Sequence, residues 1–193
     1  MFEALLTLVI LFAVIIDPPL SFAFFISNTK NLSKKEKVET ALKAIALAFI
    51  IVFIFVLFGD LFLRLFSIEL NHLRIAGGLI LLILGVKMTL GLTFRSSIEE
   101  HEVKDTLPTI IATPLISGPA CITTILISSV DYGKLITGVA VGIVLFITGA
   151  MLLVASYMKE KHYGKTAIKM ITTSMGLVTV AWGISFIMTG LGL

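Results

Sequence analysis

Asp17 is the one acidic residue deep within a long uncharged run of this chain, and two prolines follow it directly, in the order Ile16-Asp17-Pro18-Pro19. A carboxylate near the middle of a membrane span costs roughly 2.5–3.5 kcal/mol on insertion scales, and such groups mark substrate, ion or proton pathways. The prolines remove backbone donors and clash with the preceding turn, so the helix carrying them is expected to stop near Ile16 and restart. In the restarted half Asp17 is a natural N-cap and Pro18 a natural first residue, with Ser21 one turn on. Further along, Ser117-Gly118-Pro119 repeats the device, with Ser117 or Gly118 as cap, Pro119 at the first helical position and the hydroxyls of Thr123 and Thr124 beyond it. Each helix start is expected to offer unpaired N–H groups and about half a positive charge. Asp17 adds its own negative charge to the first, so the pair suits a zwitterion: ammonium near Asp17, carboxylate on the second start. The candidate substrate-binding set is Asp17, Pro18, Ser21, Ser117, Gly118, Pro119, Thr123 and Thr124. The competing reading of Asp17 is a structural cap at a kink, and that of Gly118-Pro119 a packing kink.

The elements that must hold these residues are membrane helices. Of 193 residues, 58% are hydrophobic and only 14% charged, and the mean hydropathy is +1.08. A soluble domain carries about 25% charged residues, so the solvent here is lipid. Uncharged runs cover residues 4–29 (broken only by Asp17), 44–59, 75–86, 106–130, 135–158 and 170–193. The second and third are short, and flanking Glu39, Lys43, His72, Arg74 and Lys87 extend them by snorkelling. Six spans result, expected to form an all-α membrane protein in a single transmembrane domain, 1–193. Asp17 and Gly118 fall at the centres of their runs, so helices 1 and 4 are expected to be broken near the midplane, as in many secondary transporters.

Basic residues set the expected orientation. Lys30, Lys34, Lys35, Lys37, Lys43, Lys87, Arg95, Lys104, Lys159, Lys161, Lys165 and Lys169 gather on three connections or their flanks, twelve in all, against Arg64, Arg74 and Lys134 on the others. By the positive-inside rule the twelve are cytoplasmic and both termini lie outside the cell membrane of a prokaryote. The N-terminus lacks a signal peptide's positive n-region and reads as an uncleaved first helix. The net charge of +3 is dispersed between apolar runs rather than along one face, which argues against nucleic-acid binding. His72, His101 and His162 have no metal-ligand spacing, Cys121 has no partner for a disulfide, and no nucleophile or phosphate-loop motif appears, so neither metal, cofactor nor enzymatic activity is expected. Cys121 reads as a small buried hydrophobe, and Trp182 as core or cavity wall.

Three helices followed by three more run in opposite senses, so an internal repeat would be inverted. Asp17-Pro18 has its counterpart in Gly118-Pro119, and Gly78 with Gly85 has one in Gly176 with Gly183, both pairs seven residues apart. Seven residues are two helical turns, so each glycine pair lies on one face and permits close helix approach. Repeat one is placed at 1–92, repeat two at 106–193 and a cytoplasmic loop at 93–105. The stretches IDPPLSFAFFIS, LRIAGGLILLILGVKM, PLISGPACITT and SMGLVTVAWGISFIMTGL resemble the MarC family of inner-membrane proteins, in the order and at about the spacing of its motifs. That resemblance implies six helices as two inverted three-helix units, kinship with LysE-type exporters, and transport of neutral amino acids as described for one branch. The family reads close to D-P-L-G-N-x-P at the first break; here Asp17 and Pro18 match, while Pro19, Leu20, Ser21 and Ala23 depart from it. The expected function is thus a secondary transporter of small neutral amino acids or similar metabolites, its partners a small-molecule substrate and the lipid bilayer. The alternatives are an exporter of another metabolite or inorganic ion, or a non-transporting membrane scaffold.

Overall fold

The computed structural model describes residues 2–92, 103–158 and 165–193. Regular structure among the described residues is helical, without strands: α1 (Phe2–Ile16), α2 (Pro18–Asn28), α3 (Lys34–Leu65), α4 (Leu70–Thr89), α5 (Val103–Ile110), a π-helical segment (Ile111–Ile116), α6 (Pro119–Asp131), α7 (Lys134–Tyr157) and α8 (Lys165–Leu191). Among the described residues, five stretches are long and apolar enough to cross a bilayer: Phe2–Asn28, Lys34–Leu65, Leu70–Thr89, Lys134–Tyr157 and Ile168–Leu191. The expected fourth span is divided among α5, the π segment and α6, and the 13 residues of α6 rise only about 20 Å against a hydrocarbon core of about 30 Å. Pro108, Pro114 and Pro119 account for the division, since each deletes a backbone donor. The expected loop at 93–105 lies outside the described residues as far as 102, and α5 takes up the rest. Arg95, His101, Lys159, Lys161 and His162 also lie outside the described residues.

α3 begins well before the uncharged run at 44–59. Ser33 Oγ accepts from Glu36 N at 3.4 Å and Glu36 Oε2 accepts from Ser33 N at 2.8 Å, which makes a reciprocal capping box. Lys43 pairs with Glu39 at 2.8 Å one turn on. Ser33→Ala removes one arm of the box and should cost about 1 kcal/mol. Thermal unfolding of the detergent-solubilised chain should show this as a drop of about 2–4 °C.

Apart from the α6–α7 contact, the helices pack in two matching sets. α1 and α2 pack on α7 as α5 and α6 pack on α3; α6 packs on α4 as α2 packs on α8; α3 meets α7 and α4 meets α8. The α4–α8 contact is the closest and runs antiparallel through the four glycines. A Cβ added at Gly78 would stand 2.6 Å from the Gly183 carbonyl oxygen, and one at Gly85 would stand 2.7 Å from that of Gly176. The reverse holds too, at 2.8 Å for Gly176 against Gly85 and for Gly183 against Gly78. Gly138 in α7 faces Val56 of α3, so it packs within the chain. Phe12, Phe25, Leu81, Ile125 and Leu145 are fully buried, while Ile50, Ile54, Leu57, Phe58 and Leu61 leave one side of α3 exposed and apolar. That distribution suits a lipid-facing exterior.

The ends of the bundle differ in charge. At one, Lys134 pairs with Asp60 at 2.7 Å and Arg74 with Asp131. At the other, the Lys34 ammonium lies 4.2 Å from the centroid of the Tyr157 ring, and Lys169 approaches Gly91. The segments flanking three connections, those after α2, α4 and α7, therefore meet at one end.

Candidate functional site

α1 stops at Ile16 and α2 resumes at Pro18, with Asp17 between them in the left-handed conformation (φ 45°, ψ 70°). Proline disfavours the α region for the residue before it, and aspartate tolerates the left-handed alternative better than most side chains. Held there, Asp17 caps α2: its Oδ1 accepts from Leu20 N at 3.1 Å and from Thr172 Oγ1 of α8 at 3.4 Å. Its other oxygen, Oδ2, is buried without a hydrogen-bond partner among the described residues, and the residue is only 2% exposed. A buried oxygen left in this state costs about 1–3 kcal/mol. A proton or a ligand's ammonium would remove that penalty.

The second helix start is built differently. Ser117 N donates to Ala112 O at 2.8 Å, closing the wide turn of the π segment, a form common at functional sites. Gly118 then caps α6 with no side-chain hydrogen bond, and Pro119 opens the helix. The N–H groups of Ala120 and Cys121 in that first turn have no hydrogen-bond partner among the described residues. α2 has no donor to spare by contrast: Pro18 and Pro19 carry none, Leu20 N is held by Asp17 Oδ1, and Ser21 N by Asp17 O at 3.0 Å. The expectation of two N–H cradles is thus corrected. α2 offers a carboxylate, and α6 offers the donors.

The two starts share one cavity of about 190 Å³. Asp17, Gly118, Pro119, Ala120 and Cys121 line it, with apolar walls from Ile15, Ile16 and Leu20 and from Ile80, Ile83, Leu84 and Met88 of α4. Lys87, in the last turn of α4, also lines it, so the wall carries one residue of each charge.

Five of the expected site residues lie off this cavity. Pro18 is buried against the bundle, and the four hydroxyls are engaged by backbone carbonyls four or five residues before them. Ser21 donates to Ile16 O at 3.4 Å, Ser117 to Ala112 O at 2.6 Å, Thr123 to Pro119 O at 2.9 Å and Thr124 to Ala120 O at 2.7 Å. Thr172, Lys87 and Cys121 belong to the site although the sequence reading left them out of it. Thr172 is one of several hydroxyls near the start of the last apolar run, with no local signal to single it out, and Lys87 reads from sequence as a snorkelling terminus.

Comparison with known proteins agrees over nearly the whole chain. Residues 2–192 match the model of the MarC family integral membrane protein. A UPF0056 membrane protein of Methanocaldococcus jannaschii is 32% identical over 186 residues, covering 92% of this chain and 90% of that protein. A UPF0056 membrane protein of Pyrococcus horikoshii is 28% identical over 193 residues, covering 100% and 95%. The UPF0056 membrane protein YvbG of Bacillus subtilis is 30% identical, covering 86% and 84%. No solved structure matches the chain. From its apolar helices, its glycine-packed pair and this match, the chain belongs to the MarC family of integral membrane proteins.

Proposed function

We propose that this protein is a secondary transporter, not an enzyme, carrying small neutral amino acids or similar zwitterionic metabolites across a prokaryotic cell membrane with proton movement at Asp17. The observation that carries the reading is the buried Asp17 carboxylate, one oxygen without a partner among the described residues, on a cavity it shares with the uncapped start of α6. An ammonium on Asp17 Oδ2 and a carboxylate on the Ala120 and Cys121 N–H groups would each meet the opposite charge. Lys87 on the same cavity wall attracts the ligand's carboxylate. The aliphatic walls suit a short apolar side chain. At about 190 Å³ the cavity lies below the range of about 300–1,000 Å³ usual for drug-sized ligands. A non-transporting scaffold predicts Asp17 packed on every side, and the cavity weighs against it.

Inverted repeats support the reading. Exchanging spans one with four, two with five and three with six carries each of the helix contacts described above onto another or onto itself, except that of α6 with α7, and the Gly78–Gly183 contact becomes the Gly176–Gly85 contact. A two-fold axis in the membrane plane produces such reciprocity, and it brings the breaks in the first and fourth spans together near the midplane. The lysine-flanked end is read as cytoplasmic, which leaves both termini outside.

Proteoliposomes holding the purified chain should take up labelled alanine or serine when an inward proton gradient is imposed. Lys87→Met should raise KM about ten-fold, the worth of roughly 1.4 kcal/mol of lost attraction, and Lys87→Arg should recover part of it. Absence of any amino-acid uptake by well-folded parental protein would overturn the assignment.

A further inference from the structure

A second cavity of about 130 Å³ lies toward the opposite end of the bundle, between α1, α4, α6 and α8. The Arg74–Asp131 ion pair, Ser128 and Ser185 supply polar wall, and Trp182 and Phe186 an aromatic one. Those rings meet edge to face with centroids 6.2 Å apart. The register of the α4 and α8 glycines pairs Gly78 with Gly176 and Gly85 with Gly183, and in that register Trp182, Ser185 and Phe186 take on α8 the positions of Leu84, Lys87 and Met88 on α4. Leu84, Lys87 and Met88 line the Asp17 cavity. The two cavities therefore use corresponding faces of corresponding helices, one toward each end. Little separates them. On α1, Leu8 and Leu11 line one and Ile15 and Ile16 the other, with fully buried Phe12 between; on α6, fully buried Thr124 and Ile125 stand between Cys121 and Ile127.

We propose that the second cavity is the outward vestibule of the transport path and a first docking place for the same zwitterionic ligand, with the Arg74–Asp131 pair as its gate. This rests on the transporter reading above. The pair bridges the start of α4 and the end of α6, and its side chains are only 16% and 33% exposed, so parting it uncovers both charges at once. A zwitterion can replace each partner with the matching group, carboxylate on Arg74 and ammonium on Asp131, and so opens the gate at little electrostatic cost. Asn71 Oδ1, which accepts from Arg74 at 3.2 Å, keeps the guanidinium in place while it changes partner. Ser185 stands where the Asp17 cavity has Lys87, so the vestibule has no second fixed cation on α8 and its hold on the carboxylate is looser.

The test is accessibility in intact cells expressing the full chain with Cys121→Ala and Ser128→Cys, using a membrane-impermeant maleimide; Ser128 lines the vestibule and is 2% exposed with the pair intact. Labelling should be slow with the pair intact and about ten-fold faster when Asp131→Asn is added. It should slow again in the charge-swapped Arg74→Asp, Asp131→Arg background, a reversal that general unfolding would not give. Saturating alanine, which parts the pair, should speed labelling of the form with the pair intact and leave that of the Asp131→Asn form little changed. An Asp131→Asn rate equal to the parental one overturns the gate, and labelling from inverted vesicles alone overturns the outward assignment. If position 128 behaves as described but parental proteoliposomes carry no amino acid, the transporter reading fails, and the vestibule's role with it.

Discussion

Asp17→Asn should leave the chain inserted and folded yet cut proton-coupled amino-acid uptake at least about ten-fold. Asparagine caps helices about as well as aspartate and accepts the left-handed backbone found at this residue, φ 45°. The bond from Leu20 N to Oδ1 can persist, and with it the break between α1 and α2. The lost features are the negative charge and the exchangeable proton at the oxygen that has no partner among the described residues. A hydrogen bond to a charged group is worth roughly 1.5–3 kcal/mol, which corresponds to about ten-fold or more in ligand affinity. Asp17→Ala would confuse the issue, because it removes the cap and places a Cβ-bearing residue without a helping side chain at positive φ. The readout is uptake into proteoliposomes across a series of pH gradients, with the melting temperature as control. Parental rates and parental pH dependence in Asp17→Asn would reduce Asp17 to a cap.

Why the sequence led to Asp17 but not to the whole site is a matter of which constraints are local. Proline chemistry acts within a turn, so Asp17-Pro18 and Gly118-Pro119 announce helix starts, and α2 and α6 begin at those prolines. Glycines seven residues apart announce a close-packing face, and that face is where α4 meets α8. Hydroxyl direction is not announced. Ser21, Ser117, Thr123 and Thr124 each have a carbonyl four or five residues back within reach, and in apolar surroundings that bond outcompetes a place on the cavity wall. Donor supply at a helix start also depends on a detail easy to pass over: two successive prolines leave α2 with no N–H before Leu20. Thr172 and Lys87 reach the site only because α8 and α4 fold back on the breaks, a long-range fact that no local pattern encodes.

The α4–α8 contact should be the most sensitive packing in the protein, and Gly85→Ala its sharpest probe. The added methyl would stand 2.7 Å from both the Gly176 carbonyl oxygen and the Val180 amide nitrogen. These are backbone atoms of a continuous helix and cannot swing aside, so the helices must separate. Overpacking of this kind costs typically 1–3 kcal/mol, and rigid neighbours place Gly85→Ala toward the upper end. Gly183→Ala meets the Gly78 carbonyl oxygen at 2.8 Å and the Leu82 amide nitrogen at 2.9 Å, so it should behave alike. Gly142→Ala is the control: its methyl would meet only the Phe53 ring, at 3.7 Å, and alanine's better helix propensity of up to about 1 kcal/mol should leave stability level or slightly raised. Function should follow the same division. Ile80, Ile83, Leu84 and Lys87 line the Asp17 cavity from α4, so pushing α4 off α8 displaces one whole wall of the site, whereas Gly142 in α7 faces α3. Melting curves in detergent and uptake by the same preparations should therefore fall together for Gly85→Ala and Gly183→Ala and stay parental for Gly142→Ala. Equal melting temperatures across all three variants would show that the glycines are not what brings these helices together.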